Sequence, residues 1–390
     1  MIQRGKREPS VFNILVFLFI ASIFILSCNK DEKADNGLDS GGIDAGTDGD
    51  ADGDADADGD DSGLDSGKDA GTDAGGCRWR DVPIDPQYKT YGLNAIWATS
   101  SSDMFIGGGM GAGGGVVLHY DGNVWSEMAV PSAEVITAMW GSSSSDIFAT
   151  GYADGIVIHY DGDKWDLIRK GTAGEQSMDI WGSGPSDVFL GTYIGFTTGA
   201  IIHYDGSTWT EHGLQYAATG IWGTASDNVY AGIGPTIGGH QAPNTVLHFD
   251  GSEWSELYVD IESEATCTNV WGISASDIYF LCAFGNNGRN TGIVHFDGTS
   301  WTVMEQGWPE HLISISGSSH DNIYVVAVDL SDVVNTPGFI YHYDGSSWSK
   351  TGLGNSRLVG PVWTASKEEA WAAGYDSSQG LALFLHYSCK

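Results

Sequence analysis

Beyond residue 91, apolar and polar positions alternate in short runs separated by Gly, Asp and Ser, the signature of half-buried strands rather than helices. A typical run, Ile156-Val157-Ile158-His159-Tyr160, leads into Asp161-Gly162-Asp163-Lys164-Trp165. The phrase recurs as HYDGNVW at 119–125, HYDGDKW at 159–165, HYDGSTW at 203–209, HFDGSEW at 248–254, HFDGTSW at 295–301 and HYDGSSW at 342–348. A seventh copy breaks off at His386-Tyr387-Ser388-Cys389-Lys390. Asp-Gly between strand-like runs predicts a tight hairpin, because the turn needs positive φ, which Gly adopts freely and Asp tolerates.

Aligning the copies gives a unit of four short segments, about 40 to 49 residues long, the size of a four-stranded propeller blade. Segment A ends in Trp and a small residue at Trp97, Trp140, Trp181, Trp222, Trp271 and Trp363, with Ser316 in the sixth copy. A Ser-rich turn follows, ending in Asp103, Asp146, Asp187, Asp227, Asp277, Asp321 or Glu368. Segment B carries Phe105, Phe148, Phe189, Tyr230, Tyr279, Tyr324 or Trp371, segment C runs into the His, and segment D carries the Trp after Asp-Gly. The fold class is therefore all-β, a seven-bladed β-propeller.

The seventh unit lacks segment D, and a D-like stretch, Arg78-Trp79-Arg80-Asp81-Val82, precedes the first. The N-terminal strand is expected to complete the last blade and close the ring, leaving no sheet edge at the junction. In the alignment Cys389 and Cys77 occupy positions that are chain neighbours elsewhere, so a disulfide between them would replace the missing turn, at the roughly 5.5 Å Cα separation disulfides favour. Cys267 and Cys282 lie symmetrically about the turn near Ala275 and are expected as a second bridge, two reduced buried thiols being the alternative.

Composition divides the chain into residues 1–27, 28–76 and 77–390. The first has basic residues Arg4, Lys6 and Arg7 ahead of an apolar run, the layout of an export signal. Ile25-Leu26-Ser27-Cys28 resembles a bacterial lipobox, which implies cleavage before Cys28 and acylation of that residue; a single uncleaved membrane helix is the alternative. Between Asp31 and Gly76 stand 15 Asp and one Glu against two Lys, a disordered, self-repelling tether by composition. Asp54, Asp56, Asp58, Gly59 and Asp65 fit a calcium-loop spacing, but no helix-forming sequence flanks them, so a solvated linker with no cofactor is the reading adopted.

Charge narrows the partners. With −14 on that tether and +3 on residues 1–30, the total of −34 leaves −23 on residues 77–390, which disfavours nucleic acid and anionic lipid surfaces.

The pattern W-G-S-x-x-S-D-x-F … H-Y-D-G-x-x-W across 77–390 resembles the tandem repeats of secreted Gram-negative lipoproteins and of bacterial propellers related to the Asp-box (BNR-type) class. The resemblance implies a monomeric, lipid-anchored propeller in the cell envelope, at the outer membrane or cell surface, in a group spanning binding proteins, protease-interacting proteins and enzymes. Fold does not fix function.

The seven in-register histidines (His119, His159, His203, His248, His295, His342, His386) are spread around the circumference, so a fold-keeping hydrogen bond is expected of them rather than a shared metal. The turns of one face are short and uniform, whereas the B–C loops of the other vary, as in a scaffold presenting binding loops to a protein or glycan. Of 15 Trp only Trp308 lies outside the repeat, in a D–A connection on the variable face, either as an exposed contact residue or packed over a neighbouring blade. His311, Tyr193, Phe196, His240, Arg289 and Asp329 are further binding candidates on that face. No catalytic residue is assigned. Two rivals remain: a glycan-cleaving hydrolase or lyase using paired acidic residues in the funnel, and a purely structural envelope protein.

Overall fold

A computed structural model describes residues 70–72, 76–84, 92–109, 114–131, 134–195, 198–234, 244–261, 265–285, 290–331 and 336–389. The signal segment, Cys28 and the calcium-like spacing at Asp54, Asp56, Asp58, Gly59 and Asp65 lie outside these residues, as do Phe196, His240 and Arg289.

Every regular element among them is a strand, and the strands form seven antiparallel sheets, six of four strands and one of five. The innermost strands are Gly92–Ser100, Ile136–Ser143, Glu175–Gly184, Ala217–Ala225, Ala265–Ser274, His311–Ser319 and Arg357–Ser366. Each touches the next, and the last touches the first, so the sheets stand as blades around one axis. The chain is a seven-bladed β-propeller.

The seventh blade has the five strands. Arg78–Asp81 pairs with Leu381–Ser388, Trp79 opposite Tyr387, and Ala70–Thr72, within the stretch read as tether, lies beyond it. Disulfides join Cys77 to Cys389 and Cys267 to Cys282, each with a Cα separation of 4.0 Å, closer than the sequence reading anticipated. Cys267 and Cys282 sit directly across neighbouring strands, where antiparallel Cα atoms approach to about 4.5 Å, and Cys77 and Cys389 adjoin the Arg78–Ser388 pair.

The core lies between blades rather than within them. Phe105 and Val117 of the first blade, for instance, are buried with Ile147 and Ile158 of the second. Comparable clusters fill all the junctions, and Trp79, 2 % exposed, shares one with Tyr324, Ile340 and Leu385.

The small residue after each segment-A Trp has a spatial cause. A Cβ on Gly182 would lie 2.8 Å from the ring of Trp140, and one on Gly272 2.7 Å from Trp222, so the glycine is the seat of the preceding blade's tryptophan. The sixth blade carries Ser316 instead of Trp, and in the seventh blade the column of Gly182 and Gly272 carries Thr364.

Two details differ from the sequence reading. The hairpin between segments C and D spans four residues, such as Asp121 to Val124, with Tyr120 paired to Trp125. Gly122 has φ +91°, but the Asp acts through its side chain: Asp121 Oδ1 accepts the amides of Asn123 and Val124, both at 2.9 Å. Second, the acidic residue of the A–B turn is displaced by one position in three blades, where Asn228, Asn322 and Glu369 face the His in place of Asp227, Asp321 and Glu368.

Candidate binding cavity on the propeller axis

The repeated histidines hold blades together internally. His159 Nε2 lies 2.7 Å from Asp146 Oδ1 while its ring packs on Phe148, and the arrangement recurs in all seven blades from His119–Asp103 to His386–Glu369. Hydrogen bond and ring contact fix segment C against the A–B turn and segment B. No group of three metal-ligating side chains occurs among the described residues.

The uniform turns face one way. A–B turns have two residues throughout, and each Asp-Gly turn has four. At the opposite end of the axis, where the innermost strands begin and segment B ends, a cavity of about 210 Å³ opens. Its wall takes Leu312 and Leu358 from strand starts, Val328 and Leu330 from the end of segment B, and Met139, Met178 and Ile313 from within the inner strands.

A bulge shapes that wall. Three positions before the segment-A Trp the pairing with segment B slips, at Asn94, Thr137, Met178, Thr219, Thr268, Ile313 and, over two residues, Gly360-Pro361. A bulge re-aims side chains and frees backbone groups, and here the freed groups meet the next blade. Asn94 Nδ2 donates to Ile136 O at 3.1 Å, Thr137 Oγ1 to Ser177 O at 3.0 Å, Thr219 Oγ1 to Thr268 O at 2.6 Å, Asn269 Nδ2 to Ile313 O at 3.4 Å and Ser314 Oγ to Gly360 O at 2.6 Å. A belt of side-chain-to-backbone bonds thus runs around the axis from the first blade to the seventh.

One link in the belt is reversed. Asp179, in the third blade, accepts instead of donating: Oδ1 takes its neighbour Ile180 N and Oδ2 takes Ile221 N of the fourth blade, both at 2.9 Å. Among the described residues it is the one carboxylate lining the cavity. Enclosure in the channel raises its pKa to about 6 by desolvation, which the two amide hydrogen bonds only partly offset.

The sequence candidates divide. His311 lines the cavity and opens the sixth inner strand; burial lowers its pKa, and the charge of Asp329 opposes that shift. Asp329 accepts Ser331 N at 2.8 Å and shapes the following loop. Tyr193 is fully buried with Ala217 and Met178, because it sits within segment B and points between blades, so it offers no surface. Trp308 ends segment D of the fifth blade and stacks on Tyr341 at 3.9 Å with Trp348 edge-on at 5.1 Å, covering the junction with the sixth blade. Next to it Glu310 is buried, accepting the Tyr341 hydroxyl at 2.8 Å and pairing with Lys350. Trp308 therefore packs over a neighbour, and among the described residues no second carboxylate lines the cavity with Asp179.

Asp179, Asn94 and Asn269 escaped the sequence reading. Their signal lies two and three positions before the segment-A Trp, in columns where the copies disagree most: Asn94-Ala95, Thr137-Ala138, Met178-Asp179, Thr219-Gly220, Thr268-Asn269, Ile313-Ser314 and Gly360-Pro361.

No family profile and no curated protein matches this chain. Solved structures do. It is similar to a structure described as YCF48 bound to D1 peptide (12 % identity, TM-score 0.54, 80 % of this chain and 97 % of that one) and to a streptogramin B lyase (10 %, 0.59, 82 % and 100 %). The β-propeller domain of Cps50 (Swd1) from Myceliophteria thermophila is also similar (13 %, 0.56, 80 % and 100 %). At such identities the likeness establishes the propeller fold and nothing finer.

Proposed function

We propose that this protein is an extracytoplasmic binding module: a propeller closed by its N-terminal strand, tethered to the cell envelope through acylated Cys28 and the acidic segment, and engaging a protein partner on the face of its varied loops. The observation that carries this reading is the contrast between the two ends of the axis. One end repeats the same two- and four-residue turns around the ring; the other gathers non-repeating residues around a cavity of about 210 Å³. Repetition maintains the blade, and departure from it concentrates where contacts are made.

Cavity size favours a protein partner over a glycan. The volume is below the roughly 300–1,000 Å³ typical of small-molecule sites, enough for one extended side chain but not for a sugar chain with its hydroxyl network. One solved neighbour, YCF48, is described with a bound peptide, and another is a lyase. A single carboxylate among the described residues of the cavity wall gives the binding reading more support than the paired-carboxylate hydrolase. Two cystine pairs fit an oxidising compartment.

The test is site-specific photo-crosslinking in intact cells. Benzoylphenylalanine at Leu330, on the cavity wall, is expected to yield a discrete protein adduct, and at Val124, 60 % exposed in an Asp-Gly turn, none. Equal labelling from both positions, or none from Leu330, would contradict the reading. In the same cells Cys28→Ala should release the protein from the membrane fraction; unchanged fractionation would remove the anchor.

A further inference from the structure

The belt around the axis shows an economy that one residue violates. Five links use neutral side chains, Asn94, Thr137, Thr219, Asn269 and Ser314, each donating to a carbonyl of the next blade. The third blade places a carboxylate there, and among the described residues no Lys or Arg lines the cavity to neutralise it; the one other titratable group of that wall, His311, has its pKa lowered by burial. An enclosed, uncompensated charge opposes folding unless a partner of opposite sign arrives.

Other atoms of the wall complete a cation receptor. Asn94 and Asn269 spend their Nδ2 groups on the next blade, which leaves both amide oxygens as acceptors without a hydrogen bond among the described residues. Around them Met139, Met178 and Leu312 supply apolar surface suited to a methylene stem. Among the described residues no Trp, Tyr or Phe lines the cavity, so none of them offers the cation–π contact that selects methylated ammonium groups. The propeller's net charge of −23 would draw a basic segment toward it.

Resting on the binding reading above, we infer that the axial cavity receives the side chain of a lysine from the partner protein, with Asp179 as counter-charge and the amide oxygens of Asn94 and Asn269 as its remaining acceptors. Lysine fits better than arginine. Asp179 already accepts one amide on each oxygen, which obstructs the parallel two-point contact a guanidinium favours, whereas an ammonium is a compact charge with three rotatable donors.

Calorimetric titration of the purified propeller with pentylammonium chloride, a lysine side-chain mimic, tests this. Wild type should bind it saturably, with a dissociation constant on the order of millimolar for so small a ligand. 1-Pentanol and pentyltrimethylammonium, which lack the charge or the N–H donors, should bind at least about tenfold more weakly, as should butylguanidinium. Asp179→Asn, checked for an unchanged near-ultraviolet spectrum, should weaken pentylammonium at least about tenfold while leaving pentanol unaffected; a merely structural Asp179 would alter both alike or neither. Equal affinity of pentanol or butylguanidinium in the wild type would overturn the lysine assignment with no variant involved. Should pentylammonium fail while the Leu330 crosslink still forms, the lysine inference falls and the binding module stands.

Discussion

Among single residues, the repeated side chains hold each blade together and unrepeated ones gather around the axial cavity. His159 with Asp146 and Asp121 with its two turn amides satisfy local hydrogen bonds in a pattern copied from blade to blade. Asp179 has no counterpart in the other blades, and its burden is measurable through pH. Its carboxyl titrates near 6 in the folded chain, against 3.8 ordinarily, because enclosure disfavours the charge. Between those values the folded state holds the extra proton, so this residue makes stability fall as pH rises from about 4 to about 6, with no further change above. The loss amounts to at most about 3 kcal/mol. Urea midpoints at pH 4.5 and 6.5 should show the fall in wild type, and Asp179→Asn should reduce it. An identical pH response in both proteins would mean that Asp179 is not enclosed as described.

At the scale of elements, the same phrase yields the same hairpin wherever it occurs, and the deviations compensate one another. The seat that Gly182 provides for Trp140 is absent where it is unnecessary, beside Ser316, and there Thr364 stands. Ser316→Trp should therefore overpack the junction and cost about 1–3 kcal/mol. Adding Thr364→Gly should recover part of that, with a coupling of about 0.5–3 kcal/mol in a double-mutant cycle by chemical denaturation. Additive effects would show that the tryptophan does not sit on its neighbour's glycine.

How much was legible follows the same division. Segments, blade number and cystine partners could be read because each is written several times over or answers a gap in what is. Trp308 and Tyr193 were ambiguous, because side-chain direction between blades depends on strand register across a junction that no local pattern encodes. The Asp-to-Asn exchanges beside His248 and His342 were missed because a neighbouring Asp227 or Asp321 satisfied the pattern one position too early. Asp179 was invisible for a different reason: an axial bulge aims it, and bulges leave no compositional mark.

At the scale of the whole molecule, the cavity exists only because the ring is closed. Seven inner strands converge on the axis with the Arg357–Ser366 strand against Gly92–Ser100, and the outer strand of the seventh blade comes from the other end of the chain, Arg78–Asp81 on Leu381–Ser388. A cross-link spanning 312 residues constrains the unfolded chain strongly, by about 6 kcal/mol on an entropic model. Non-reducing tryptic mass mapping of the purified protein addresses closure most directly. The peptide ending at Arg78 should be joined through Cys77 to the C-terminal peptide containing Cys389, with Cys267 joined to Cys282. Recovery of Cys77 as a free thiol, or linked to Cys267 or Cys282, would contradict it.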